Sequence, residues 1–231
     1  MENRKHDLSI ELDVSPDAVW DALTKPEFIV KWFTSEARVE PGAGGKLWLK
    51  WTDGMEAEQE ILEWIPGRRL KVGFGGQSIV FEIEGRGGKS VLRLVHSGFS
   101  ADSKFDDEFE ATFGGWSTYL AVLQYVLVRK PADAVENVTI LRQIAAKREE
   151  LWPKVSDPSK ILEMPVKELA RPAHGYVVVT VPGLDDSPVA VFCESFGAQT
   201  CLTVGMYLFG GGRRHSDALR AKVTGWFDRL A

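Results

Sequence analysis

The chain has 231 residues, 44% of them hydrophobic and 26% charged, with a formal net charge of −5. This is the composition of a soluble globular protein with a real core, built as one large domain or two small ones. The negative balance argues against nucleic acid, whose phosphates demand a basic face. No apolar run approaches the ~20 residues of a membrane helix, so no membrane insertion is expected.

The opening residues, Met1 to Asp7, lack the apolar stretch of a signal peptide, and a cytoplasmic location is expected. Charge is unevenly placed: residues 1–130 hold 16 Lys and Arg against 21 Asp and Glu, and residues 131–231 hold 12 against 12. The shift coincides with Pro131, which suggests domains 1–130 and 131–231.

Leu8, Ile10, Leu12 and Val14 alternate with Ser9, Glu11 and Asp13, the period of a half-buried strand. Ser15-Pro16 reads as an N-cap followed by a first-turn proline, opening a short helix over 16–23. Pro26 opens a second over 26–33, showing Phe28, Ile29, Trp32 and Phe33. Six strands follow, at 35–40, 46–52, 55–65, 69–74, 77–84 and 89–96, punctuated by Gly and Pro turns. Asp53-Gly54 is a strong hairpin signal among them. In the 46–52 strand, Leu47, Leu49 and Trp51 fall on one side and Trp48 on the other.

Such a meander has one face to cover. The cover is a long helix over 106–128, whose Phe109, Phe113, Trp116, Leu120, Leu123 and Leu127 recur at helical spacing, widened by Tyr119, Val122 and Val126. Asp106, Asp107 and Glu108 complement its positive end, Arg129 and Lys130 its negative end, and Pro131 stops it. Within it, Gly114-Gly115 costs about 1 kcal/mol per residue against Ala. Bare backbone there admits close approach, by a neighbouring strand or by a ligand.

This order resembles the START-like or helix-grip superfamily (SRPBCC), which includes Bet v 1 allergens and polyketide cyclases. Within it the chain is most similar to the family named after the activator of the heat-shock-protein-90 ATPase. The resemblance is carried by Ser15-Pro16-Asp17-Ala18-Val19-Trp20-Asp21-Ala22-Leu23-Thr24, Trp32-Phe33, Pro66-Gly67-Arg68-Arg69-Leu70, His96-Ser97-Gly98-Phe99 and Gly115-Trp116 with Leu120 and Leu123. It spans almost all of residues 7–128 and implies an α+β fold, a curved antiparallel sheet around a long C-terminal helix with a space between them.

After Pro131 the periodicity of Val138, Leu141, Ile144 and Leu151 predicts a helix over 134–152. Strands are predicted at 176–181, 189–195 and 200–209, and a closing helix at 215–230. Leu219, Val223, Trp226 and Leu230 repeat the spacing of Phe109, Phe113, Trp116 and Leu120, and Gly225-Trp226 falls where Gly115-Trp116 falls. The expectation is a smaller, abbreviated α+β helix-grip unit lacking its front part. Its open sheet edge would pair with the first domain or with a second copy of the chain, making a homodimer a candidate state. Cys193 and Cys201 flank a turn; centred on Gly197, it would set them face to face, although cytosolic thiols are normally reduced.

For function, binding is the stronger signal. Trp32, Trp48, Trp51, Phe81, His96, Phe113, Trp116, Tyr119 and Leu120 are the candidate ligand-binding residues, either packing the core or lining an apolar site. His96 and Tyr119 would supply orienting polar contacts. The expected activity is non-catalytic binding of a small hydrophobic or aromatic molecule between sheet and long helix. The alternatives are a co-chaperone-like module docking a chaperone, and a cyclase or hydrolase using His96 as base. One of Glu58, Glu60 and Glu63 would have to point inward to join His96 in such a site. No HExxH, Walker or CxxC motif is present, and neither a cofactor, a metal nor a catalytic residue is assigned. Gly210-Gly211-Gly212 precedes a helix and offers amides to an anion, or is a plain loop with two solvated Arg.

Overall fold

The computed structural model describes residues 4–129 and 134–230. Strand β1 (Arg4–Leu12) begins earlier than its apolar alternation suggests, so His6 joins Leu8, Ile10 and Leu12 on one face. Ser15 caps α1 (Pro16–Thr24) by accepting from the Ala18 amide, with Pro16 in the first turn. Helix α2 (Pro26–Ile29) is a single turn, shorter than expected, and hydrogen-bonded turns carry the chain on through Phe33. Trp32 ties the two helices together by donating its indole N–H to the Ala22 carbonyl at 2.9 Å.

Six strands then run β2 (Glu36–Val39), β3 (Lys46–Thr52), β4 (Met55–Ile65), β5 (Arg69–Phe74), β6 (Gln77–Arg86) and β7 (Lys89–Phe99). Each pairs antiparallel with the next, and β1 pairs with β7, giving the order β1-β7-β6-β5-β4-β3-β2. Period-2 alternation sends Leu49, Ile61, Val72, Phe81 and Leu94 to one buried face. The other face carries a ladder of ion pairs across five strands. Asp7 takes a bidentate contact from Arg93 at 2.7 and 2.8 Å, Arg93 reaches Glu82 at 3.1 Å, and Arg69 bridges Glu82 to Glu63. The long helix α3 (Asp106–Arg129) follows. This is the element order of a helix-grip fold. Pro131, expected to end that helix, lies outside the described residues.

The next segment departs from expectation. Residues predicted as a helix over 134–152 form strand β8 (Glu136–Ile144) and then α4 (Arg148–Val155). Val138, Leu141 and Ile144 fit helical spacing, but Val138, Thr139 and Ile140 are β-branched, and pairing with the later strand at Thr200–Leu208 decides the outcome. Helix α5 (Pro158–Leu162) is capped by Asp157, which accepts from the Ser159 amide. Strands β9 (Lys167–Ala170), β10 (Tyr176–Val181), β11 (Ser187–Phe196) and β12 (Gln199–Leu208) lead to α6 (Ser216–Asp228). The sheet order is β8-β12-β11-β10-β9.

The second sheet therefore repeats the plan of the first. A strand is followed by two short helices, the second opened by a proline, then by a meander whose last strand pairs with the first, then by a helix. The front part expected to be missing is present; the repeat is shorter because it has five strands where the first has seven.

The described residues group into two compact units. One holds residues up to Phe105 with Leu123–Arg129, the other Asp106–Val122 with 134–230, so α3 contributes to both. The sequence places the whole helix in residues 1–130. In the first unit Leu123, Val126 and Leu127 are buried, and Gln124 donates to the Glu11 carbonyl at 2.9 Å. In the second, one face of the sheet (Val177, Val179, Val191, Val204, Met206) packs with Leu151, Val155, Ile161, Leu219, Val223 and Phe227. The opposite face presents Tyr176, Phe192 and Glu194 to the first part of α3. Among the described residues no helix is long and apolar enough to cross a membrane.

Candidate functional site

The first unit collects two aromatic groups. In one, Trp32 stacks on Phe33 at 5.0 Å between ring centroids, and Phe33 meets the ring of Trp51 edge-on at 5.2 Å. Trp51 occupies a β-bulge. Lys50 pairs with Glu56 and Thr52 with Met55, which leaves Trp51 as the extra residue and re-aims its side chain. Its indole nitrogen is buried and has no hydrogen-bond partner among the described residues. A buried donor left unpaired costs roughly 1–3 kcal/mol, so such groups are uncommon and call for an explanation.

The other group surrounds His96 on β7. His96 is cross-strand from His6 on β1 and from Ile79 on β6. Its ring lies 4.5 Å from Phe99 and 5.8 Å from Phe74, with Nε2 donating to Gln77 Oε1 at 2.8 Å. Burial first, and the nearby His6 second, push its pKa down to about 4, so the ring is neutral at physiological pH. Phe81 lies on the same buried face, cross-strand from Leu94.

The remaining candidates are placed elsewhere. Trp48 stands on the opposite side of β3 from Leu47 and Leu49, with the Arg38 guanidinium 4.5 Å over its ring. Phe113 is 40% exposed, so the apolar stripe of α3 is not enclosed at its N-terminal end. Trp116 and Leu120 are buried, and Tyr119 packs on Phe192 of β11 at 5.3 Å, within the second unit. The structure thus brings Trp32, Trp51, Phe81 and His96 into the first unit and places Phe113, Trp116, Tyr119 and Leu120 in the second.

Glu58 pairs with Lys46 and Glu63 with Arg69, both on the charged face, while Glu60 is exposed and Gln59 and Ile61 take the buried positions; no Glu of β4 joins His96. Around Gly210–Gly212, the Gly211 amide donates to Asp185 Oδ2 at 2.5 Å and the Gly212 amide to the Phe209 carbonyl at 2.8 Å, so neither is offered to an anion. No cluster of metal-ligating side chains occurs among the described residues.

Cys193 and Cys201 do not face each other. The turn is Gly197-Ala198, with Phe196 opposite Gln199, so Cys193 pairs with Leu202 and Cys201 with Glu194. That one-residue difference in register puts the thiols on opposite faces of the sheet. Both are free and buried, and burial pushes the Cys193 thiol up to about 12.

Residues 13–127 match the family described as Activator of Hsp90 ATPase homolog 1-like protein. The resemblance to this family is confined to these residues, just under half of the chain. Solved structures similar to it include an AHSA1-like protein from Rhizobium etli, with 28% identity over 55% of this chain and 82% of that one and a TM-score of 0.44. Protein MLL2253 from Mesorhizobium loti has 20% identity over 55% and 98%, with a TM-score of 0.49. The Aha1 dimer from Colwellia psychrerythraea has 21% identity over 55% and 96%, with a TM-score of 0.47. No curated protein matches the chain. Of the family's residues quoted from the sequence, Ser15 and Pro16 cap α1, Trp32 braces α1 against α2, and His96 and Phe99 form the ring cluster at the end of β7.

Sequence reasoning passes over His6, Gln77, Tyr176 and Glu194. His6 lies before the apolar alternation begins, so only the pairing of β1 with β7 reveals it. The bulge at Trp51 has no sequence signature. The pair Tyr176 and Glu194 depends on the long helix meeting the second sheet.

Proposed function

We propose that the first unit binds a small aromatic or hydrophobic molecule carrying a hydrogen-bond acceptor, held on the buried face of its sheet. The observation that carries this reading is the indole N–H of Trp51, buried without a partner beside Phe33. An acceptor on the ligand would satisfy it, while Phe33 and Trp32 offer ring faces. Phe81 and His96 extend the same sheet face, and the neutral His96 ring contributes a polar edge rather than a charge. A group held neutral down to pH ~4 is a weak general base at neutral pH, which counts against a cyclase or hydrolase reaction through His96.

The test is native mass spectrometry of freshly purified wild type and Trp51→Phe. Wild type is expected to retain a small molecule that the variant loses. Equal retention by both would remove Trp51 from the site.

A second reading, a co-chaperone-like interaction module, is favoured by the family match over residues 13–127. It predicts capture of a chaperone through the acidic first domain that weakens as salt rises, because exposed charge pairs are screened beyond roughly 10 Å at 0.1 M ionic strength.

A further inference from the structure

The second unit holds a buried acid for which ligand binding in the first unit has no use. Gly114 of α3 lies against the ring of Tyr176, whose hydroxyl is 3.2 Å from the Ala111 carbonyl and 3.2 Å from Glu194 Oε1. We propose that Glu194 and Tyr176 form a proton-dependent latch, which holds Asp106–Val122 on the second sheet while Glu194 is protonated and loosens it when the carboxyl ionises.

The argument is a proton count. Tyr176 has one hydroxyl proton and two acceptors in reach, so it donates to only one of them. With Glu194 protonated, its own O–H donates to the Tyr176 oxygen and the Tyr176 proton goes to Ala111, so both 3.2 Å contacts are hydrogen bonds. With Glu194 ionised, Tyr176 turns its proton to the carboxylate. The tie to α3 is then lost and an anion is left enclosed beside Gly115, whose added Cβ would lie 3.9 Å from Glu194 Oε1.

The charged groups around the pair do not neutralise that anion. On α4, Arg148 is within 3.8 Å of Glu110 and 3.6 Å of Glu149. On α3, Asp107 accepts from the Gly197 amide at 2.6 Å, and Tyr119 packs on Phe192. On β12, Cys201 is the cross-strand neighbour of Glu194, and Cys193 on β11 points to the other face. Burial accordingly pushes the Glu194 carboxyl up to about 7, with the Tyr176 hydrogen bond opposing.

The sign follows from this raised value. The docked state keeps its proton where an exposed Glu, ordinarily near pH 4.5, has lost it. The latch is fully effective below about pH 4.5, weakens as pH rises toward 7, and is flat above that. Each pKa unit is worth about tenfold, so opening rises on the order of 100-fold across the window.

Hydrogen exchange of the full chain tests this, followed at the amides of residues 115–122 from pH 5 to 7.5 and corrected for intrinsic exchange. Wild type is expected to show the rise in opening, and Glu194→Gln to show none. A flat wild-type profile, or the same rise in Glu194→Gln, would overturn the latch. Should that variant fail to fold, the carbon-13 titration of the Glu194 carboxyl in wild type decides: a midpoint near 7 supports the proposal and one below 5 overturns it. Neither readout depends on ligand binding in the first unit.

Discussion

Gly114 lies beneath the ring of Tyr176 so closely that a Cβ there would stand 2.1 Å from Cε2 and Cζ, whereas a Cβ on Gly115 would meet only Glu194 Oε1 at 3.9 Å. Adjacent glycines in one helix thus have different reasons to be glycine. Gly114→Ala gains about 1 kcal/mol of helix propensity but overpacks the Tyr176 contact at the upper end of the usual ~1–3 kcal/mol, or beyond it. The expected net loss is about 2 kcal/mol or more in denaturant unfolding. Gly115→Ala meets ordinary contact distance and is expected to be neutral or to stabilise by up to about 1 kcal/mol. Equal effects at the two positions would contradict the placement of α3 on β10.

Trp32 and Trp51 make a second contrast. Trp32 donates to Ala22 and is buried, so Trp32→Phe leaves a carbonyl unpaired and is expected to cost about 1–3 kcal/mol. Trp51→Phe keeps an aromatic ring against Phe33 and removes an unpaired donor. Its expected effect on the unliganded protein is near zero, or stabilising by about 1 kcal/mol. Thermal unfolding of both variants without ligand separates the two roles.

His96 predicts an acid sensitivity opposite in sign to that of Glu194. Its pKa is lowered to about 4 in the fold against 6.5 ordinarily, so the fold holds the neutral form. The stabilisation is complete above pH 6.5 and is lost as pH falls toward 4, amounting to something on the order of 3 kcal/mol. A His96→Gln variant, measured by urea unfolding from pH 4 to 7, should show a shallower fall on the acid side than wild type.

Cys193 and Cys201 are expected to remain reduced thiols in the folded chain under mild oxidation, because they occupy opposite faces of the sheet. Thiol counting should find two slow-reacting groups in the native protein and two fast ones in denaturant. A native intramolecular disulfide would contradict the register of β11 and β12.

Much of the fold was legible because local signals agreed with one another. Ser15-Pro16, the Asp53-Gly54 hairpin, the alternation of Ile79, Phe81 and Ile83, and the stripe through Leu120 and Leu123 each named the element that formed. What failed did so for identifiable reasons. Val138, Leu141 and Ile144 satisfy a helical spacing while β-branching and a partner strand make them β8, and losing that strand hid the front of the repeat. A one-residue error in the turn at Gly197 reversed the faces of Cys193 and Cys201. The candidate site was legible only as a list of rings. Sorting it required the bulge at Trp51, the side of β3 on which Trp48 stands, and the packing of Tyr119 on Phe192.

The most direct test of ligand binding in the first unit is the indole N–H resonance of Trp51, identified by its disappearance in Trp51→Phe and followed by proton–nitrogen NMR while aromatic ketones are titrated in. The account predicts that this resonance moves downfield on binding, and that affinity falls about tenfold in Trp51→Phe, the worth of one buried hydrogen bond at ~1.4 kcal/mol. Binding of equal strength to both proteins, with the Trp51 resonance unmoved, would contradict it.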